Sequence, residues 1–347
     1  MKAQSVIMIC VTWLAASLLL AACSPPPTPT AHTNVAPGAE HDAEDAPLLS
    51  AVELAPSAKV RVVATTNIVA DVVRQIGGGR VELTALLPPG ADPHSYQATP
   101  DDLRQLNGAH VIFVNGLHLE EAMAPILENL DAPTPVVSVN AGVTTRSLGA
   151  EDHAEEHGDE DDAANGAHDH EGDDPHTWMN PVNVMVWSEN IAHTLGALDP
   201  ANAAAYAAAA AAYVAELEQL DTDMRTKLAA IPAPQRKLVT DHDNLAYLAD
   251  AYGFTVLGAV IPSLSTMAAP SAQEMAALQD QIQAEDVKVI LVGNTVNPAT
   301  AQQLAQDTGA RVVAIYTDSL SDAAGPAATY IAMMRHNLEQ ISAAFAE

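Results

Sequence analysis

The chain is patterned as short, mostly apolar runs that alternate with segments of helical period. Val60 to Ala64, Val81 to Leu86, Val111 to Val114 and Pro135 to Val139 are bounded by turn residues, the pattern of strands buried on both faces. Between them, a helical pattern runs from Thr65-Thr66-Asn67 through Gln75 and stops at Gly77-Gly78-Gly79. Another covers Pro100 to Leu106, with Thr99 as N-cap and Pro100 at the first helical position. The alternation returns later. Strands are expected over Lys237 to Thr240, Thr255 to Val260, Val287 to Val292 and Arg311 to Tyr316. Helices are expected over Asn244 to Ala251, Ser271 to Ala284, Pro298 to Thr308 and Gly325 to Phe345. This predicts an α/β fold of two similar Rossmann-like lobes with parallel sheets and a cleft between them. In such sheets ligands collect beyond the carboxyl ends of the strands, so chemistry is sought in those loops.

Two segments interrupt the alternation. Glu151 to Asp174 is rich in Asp, Glu, His, Gly and Ala and lacks Leu, Ile and Val, so it has nothing to bury and is expected to be a loop. After it, Val182 to Ala197 reads as a helix, and Asp199-Pro200 opens a second, with Asp199 as N-cap, that runs through the alanine-rich Ala201 to Ala212 to about Ala230. Its length is roughly 45 Å at 1.5 Å per residue. Helices in globular domains average about 11–12 residues, so this one is expected to be a rigid strut joining the lobes. The predicted organisation is residues 1–23 as export signal, 24–58 as disordered tether, 59–181 as first lobe with the loop 151–174, 182–232 as helices including the link, and 233–347 as second lobe.

The amino terminus carries Lys2, then the apolar run Val6 to Leu20, too short for a comfortable membrane span but suited to a signal peptide. It ends in Leu20-Ala21-Ala22-Cys23, which resembles the bacterial lipobox, whose cysteine is acylated and becomes the new amino terminus. The Pro/Thr-rich stretch Ser24 to Pro37 suits a tether; the plainer alternative is ordinary signal cleavage beside a stray cysteine. Cys10 and Cys23 are the two cysteines of the chain, so past Cys23 a metal site must be built from His, Asp and Glu. The formal net charge of −30, from 14 Lys+Arg against 44 Asp+Glu, argues against nucleic-acid binding and weakly attracts cations. The 48% of hydrophobic residues allows a core, although aromatics are only 4%.

Two segments share a design. Asp92-Pro93-His94-Ser95-Tyr96 leads to Thr99-Pro100, and Asp174-Pro175-His176-Thr177-Trp178 leads to Asn180-Pro181. Each sets a histidine after a proline of fixed φ, then a hydroxyl residue and an aromatic that can shield a site from water. One copy alone is as well explained by turn chemistry at a helix entry; two point to a shared task. His242 lies near the carboxyl end of a predicted strand in the second lobe, and Asp318 directly follows another. Each is unremarkable alone, as a loop histidine and a turn cap. Together with His94 and His176 they supply two ligands from each lobe. Imidazole nitrogens with one carboxylate suit zinc and similar divalent metals, and four protein ligands with no open position favour holding a metal over catalysis. His110, His118, His193 and His336 have no such pattern and are expected to be structural or on the surface.

The chain resembles the metal-binding lipoproteins of bacterial ABC importers for zinc and manganese, the cluster A-I solute-binding proteins, over nearly all of Val60 to Phe345. The motifs that carry this are Gly90 to Tyr96, Asn115-Gly116-Leu117, Asp174 to Pro181, Asp241-His242-Asp243 with Tyr247-Leu248 and Tyr252-Gly253, and Tyr316 to Leu320. The resemblance implies metal ligation by His94, His176, His242 and Asp318, two α/β lobes joined by one long helix, a lipid anchor on Cys23, a membrane permease as partner, a monomer, and no enzymatic activity. It departs at Gly293-Asn294, where the family often has a glutamate after the strand. Three histidines favour zinc, with manganese the alternative, since manganese-binding relatives commonly place a glutamate at the position of His242. The loop histidines His153, His157, His168 and His170 imply a low-affinity zinc collector or sensor, or else a solvated linker. Of other classes, a zinc hydrolase lacks a His-Glu-x-x-His motif and a poised base, and a surface adhesin has no specific residues behind it.

Overall fold

The computed structural model describes residues 49–55, 57–131, 133–147 and 172–346. The expected signal, Cys23, most of the tether and the four loop histidines lie outside the described residues. The first sheet has four parallel strands in the order β2-β1-β3-β4: β1 (Val60–Ala64), β2 (Val81–Ala85), β3 (Val111–Val114) and β4 (Val136–Ser138). The second repeats that order as β6-β5-β7-β8, with β5 (Lys237–His242), β6 (Thr255–Ile261), β7 (Val289–Val292) and β8 (Arg311–Ala314). In each sheet the connections leave the first strand in opposite directions, so each lobe has a switch point at its strand carboxyl ends.

The helices are α1 (Asn67–Gly77), α2 (Pro100–Gly108), α3 (Ala124–Leu127), α4 (Pro181–Leu198), α5 (Ala203–Ala229), α6 (Ala246–Tyr252), α7 (Ala272–Ala284), α8 (Ala299–Thr308) and α9 (Tyr330–Ala344). Their starts follow their caps. Thr66 accepts from the N–H of Val69, Asn180 from that of Val182, and Thr329 from that of Ala332. Thr99 and Asp102, and Ser271 and Glu274, form reciprocal capping boxes. The Thr329 cap explains why α9 begins at Tyr330 rather than Gly325. The last turn of α1 packs so tightly that a Cβ on Gly77 would sit 2.6 Å from a methyl of Val81.

The long helix is there, with a different entrance. Pro200–Asn202 is a 3-10 turn, and the Asp199 side chain caps no backbone N–H. Its carboxylate instead accepts from Asn202 Nδ2 at 2.7 Å and the Tyr206 hydroxyl at 2.9 Å. The 27 residues of α5 span about 40 Å. Tyr206, Ala210, Tyr213, Leu217, Leu220, Met224 and Leu228 form its buried stripe, at helical spacing. That stripe belongs to one continuous core cluster that also takes in α1, α4, α9 and strands of both sheets. The strut therefore packs one face into the core and leaves the other exposed. Two smaller clusters fill the outer faces, one under α7 and α8 and one under α2 and α3.

The tether expected over 24–58 needs a correction at its end. Leu49, Val52 and Leu54 pack against the main core, and the N–H of Val52 donates to the carbonyl of Leu198 at 2.9 Å. Packed chain thus begins before Lys59, because these three apolar residues have a core surface to cover.

Candidate metal centre

His94, His176, His242 and Asp318 come together, each offering one ligand atom within 4.8 Å of all the others. His94 and His176 arrive on the loops after β2 and β4, His242 ends β5, and Asp318 follows β8. All four therefore lie beyond carboxyl ends of parallel strands. His176, His242 and Asp318 are buried and His94 is partly so.

The two Asp-Pro-His motifs use one local device. Asp92 Oδ1 accepts from the N–H of His94 at 3.0 Å, and Asp174 Oδ1 from that of His176 at 2.9 Å. Each aspartate thus closes a turn across its proline. The aromatics diverge. Trp178 meets His176 edge-on with centroids 5.3 Å apart, and its Nε1–H donates to the carbonyl of Thr317 in the other lobe at 2.7 Å. Tyr96 instead donates to Asp102 Oδ2 at 2.9 Å, in the α2 capping box, so only Trp178 shields the centre as expected.

Inside the cluster, His94 Nε2 and His176 Nε2 are 3.2 Å apart. His176 Nε2 lies 3.9 Å from Asp318 Oδ1, and His242 Nε2 3.8 Å from Asp318 Oδ2. A tetrahedral zinc with bonds of about 2.0–2.1 Å holds neighbouring ligands about 3.3 Å apart. The histidine pair is already near that spacing, and the carboxylate needs a shift of about half an ångström. His242 Nε2 and Asp318 Oδ1 are buried without any hydrogen-bond partner. Leaving such groups unpaired costs about 1–3 kcal/mol each, more when charged, and a cation between them would satisfy both.

Neighbours set the electrostatics. Burial, and then His176 and His242, push His94 well below the ordinary imidazole value, so it stays neutral. Burial also pulls on His242, but Asp318 and Asp241 together outweigh it and raise it to about 9. Asp318 Oδ2 accepts from the hydroxyls of Thr295 at 3.0 Å and Thr317 at 2.8 Å.

Several contributors escaped the sequence reading. Asp174 Oδ1 faces His176 Nδ1 at 2.8 Å, and Asp241 Oδ1 faces His242 Nδ1 at 3.0 Å. Both aspartates sit beside their histidines in sequence, which was the available signal. His118, expected to be structural or on the surface, lines with Glu121, Asp173 and Ser265 a cleft of about 780 Å³ that reaches His94. Gly293-Asn294 acquires a definite role: the Gly293 N–H donates to Asp241 Oδ2 at 2.6 Å, and Asn294 donates to the carbonyl of Ser319 at 3.1 Å.

The sequence model of a protein family described as "ZnuA: Zinc-uptake complex component A periplasmic" matches residues 62–344. The chain belongs to this family. It is a metal-binding substrate-binding protein of the ABC-transporter type, not an enzyme. The iron ABC transporter substrate-binding lipoprotein MtsA of Streptococcus pyogenes serotype M1 is 31% identical over 300 residues, covering 84% of this chain and 91% of MtsA. The manganese ABC transporter substrate-binding lipoprotein PsaA of Streptococcus anginosus is 29% identical over 291 residues, covering 82% and 88%. Among solved structures, the periplasmic zinc-binding protein TroA of Treponema pallidum superposes with a TM-score of 0.73 at 29% identity, covering 84% of this chain and all of TroA. The family match over residues 62–344 spans both lobes and the long helix.

Proposed function

We propose that this protein captures zinc outside the cytoplasmic membrane with His94, His176, His242 and Asp318 and hands it to the permease of an ABC importer, acting as a monomer held at the membrane by a lipid on Cys23. The observation that carries the ligand assignment is the pair of partnerless buried atoms, His242 Nε2 and Asp318 Oδ1, inside a cluster whose four ligand atoms lie within 4.8 Å of one another. Zinc is favoured because three imidazoles and one carboxylate suit a borderline metal better than manganese, which prefers oxygen. Manganese is the second reading, supported by the name of the PsaA relative. Glu151 to Asp174, with its four histidines, serves as a low-affinity collector of the same ion.

The decisive experiment is elemental analysis of protein purified without added metal, followed by calorimetric competition between zinc and manganese. Zinc in near-stoichiometric amount, displaced by manganese only at large excess, is the expected result. Manganese displacing zinc at parity would reverse the choice of metal. Tight binding undisturbed by loss of both His94 and His176 would sink the site.

A further inference from the structure

His242 can bind a metal through Nε2 only if its proton sits on Nδ1. Two neighbours compete to decide this. Asn244 Nδ2 lies 3.2 Å from His242 Nδ1 and, as a donor, favours a bare Nδ1 with the proton on Nε2, where it would block ligation. Asp241 Oδ1 lies 3.0 Å from the same nitrogen and can only accept. With Asp241 in place, Asn244 has another outlet, since its Nδ2 also lies 3.3 Å from Asp241 Oδ1 while its Oδ1 accepts from the Thr240 hydroxyl at 2.9 Å.

Asp241 is itself tightly held. It is 2% exposed, its Oδ1 accepts from the His242 N–H at 2.7 Å, and its Oδ2 accepts from the Gly293 N–H at 2.6 Å. The approach of β7's end depends on the missing side chain. A Cβ at Gly293 would lie 2.1 Å from Thr317 Oγ1 and 3.0 Å from Asp241 Oδ2. Gly293 is not among the residues of positive φ, so space rather than conformation calls for glycine there.

We propose that Asp241 is a positioning residue that fixes His242 in its metal-binding tautomer and biases the centre toward zinc over manganese, and that Gly293 is the opening that admits it. This rests on the metal-ligand assignment above. A carboxylate on the far nitrogen makes an imidazole a stronger donor. Stronger nitrogen donation benefits zinc more than manganese, which lies at the weak end of the divalent series. Asp174 backs His176 in the same manner, whereas no carboxylate backs the His94 ring among the described hydrogen bonds.

The test compares Asp241→Asn, Gly293→Ala and His242→Ala in the full-length protein, by calorimetric competition with zinc and with manganese. Asparagine at 241 cannot serve both neighbours, because its amide must face either His242 Nδ1 or the Gly293 N–H. We expect Asp241→Asn to lower zinc affinity about 10–100-fold and manganese affinity by a smaller factor. Gly293→Ala keeps the carboxylate but crowds it, and crowds the Thr317 hydroxyl beside Asp318 more closely still; read against Thr317→Ala, it should shift the zinc-to-manganese ratio in the same direction and is the readout if Asp241→Asn does not fold. In the zinc-loaded protein, long-range proton–nitrogen correlation should show His242 protonated at Nδ1, with faster solvent exchange of that proton in Asp241→Asn. A purely structural role would leave that exchange and the metal ratio unmoved. Unchanged affinities in Asp241→Asn and Gly293→Ala beside a weakened His242→Ala would overturn this inference and leave the metal centre standing. Equal losses for both metals would overturn the bias toward zinc. Full binding by His242→Ala would remove the ligand itself, and the inference with it.

Discussion

His176 and His242 reach the centre from opposite lobes in the same manner, each with a carboxylate on Nδ1 and with Nε2 turned toward Asp318. Replacing either would remove a proposed ligand that its surroundings have already oriented. His176→Ala is therefore expected to weaken metal binding at least about tenfold, since each ligand carries a share of a large binding free energy; a calorimetric titration with zinc measures it. The raised value of His242, about 9, adds a pH signature. In metal-free protein at pH 7 this imidazole carries a proton that the metal must displace. Apparent zinc affinity should climb as pH rises from 7 toward about 9, and titrations in buffers of different ionisation enthalpy should report proton release at pH 7. The sign for stability follows from the same shift. Because the folded value exceeds the ordinary 6.5, the stabilisation is fully present below about 6.5 and is lost as pH rises through about 9. Thermal unfolding of the metal-free protein should therefore fall in temperature between pH 7 and pH 9.5, as far as His242 governs it.

At the scale of elements, the turn after β3 shows how a strained segment is held. Gly116, Leu117 and His118 all have positive φ, at 79°, 54° and 63°, and the last two carry a Cβ that disfavours this region. Glu120 holds the turn. Its carboxylate accepts from the N–H groups of Asn115 at 2.7 Å and Gly116 at 3.0 Å and from the Thr65 hydroxyl at 2.7 Å. Asn115 in turn donates to the carbonyl of Pro175, just before His176. Glu120→Gln sets an amide donor against at least one of these donors, and we expect a loss of about 1–3 kcal/mol in denaturant unfolding. The same turn explains a limit of legibility. The strands and most helices could be read from periodicity and caps, because Thr99, Asn180 and Ser271 announce helix starts by local chemistry. Asp199 looked like another such cap, yet its carboxylate accepts from Asn202 and Tyr206 side chains, three and seven residues on. The tie from Asn115 to Pro175 joins segments far apart in sequence, beyond the reach of any local pattern.

Across the whole molecule, the core runs unbroken from one lobe to the other, and polar contacts close the cleft above it. Ser319 Oγ receives both Asn67 Nδ2 and the Gly90 N–H at 2.7 Å, and Trp178 reaches Thr317. Ser319→Ala leaves two donors of the first lobe facing a methyl. It should lower stability by about 1–3 kcal/mol and speed metal release, both measurable by unfolding and by chelator competition. The residues that flank the acidic segment are tied together. Ser147 and Asp173 form an isolated bridge, and the Asp174 N–H donates to the carbonyl of Arg146 at 2.7 Å. Deleting Glu151 to Gly172 should therefore leave one tight site, as counted by calorimetry; loss of that site would make the loop the source of ligands.

The sequence by itself determined the α/β alternation, the long alanine-rich helix, and the four candidate ligands, because apolar period, caps and the repeated Asp-Pro-His motif are local and survive without knowledge of the fold. It also placed His242 and Asp318 at carboxyl ends of strands, where parallel sheets in general collect ligands. Only the tertiary structure decided that these side chains converge, each with a ligand atom within 4.8 Å of all the others. It alone decided that Asp241 can approach β7 because Gly293 has no side chain, and that residues near Val52 are packed rather than loose. Those outcomes depend on distances between segments far apart in the chain, and such distances are set by packing rather than by neighbours in sequence.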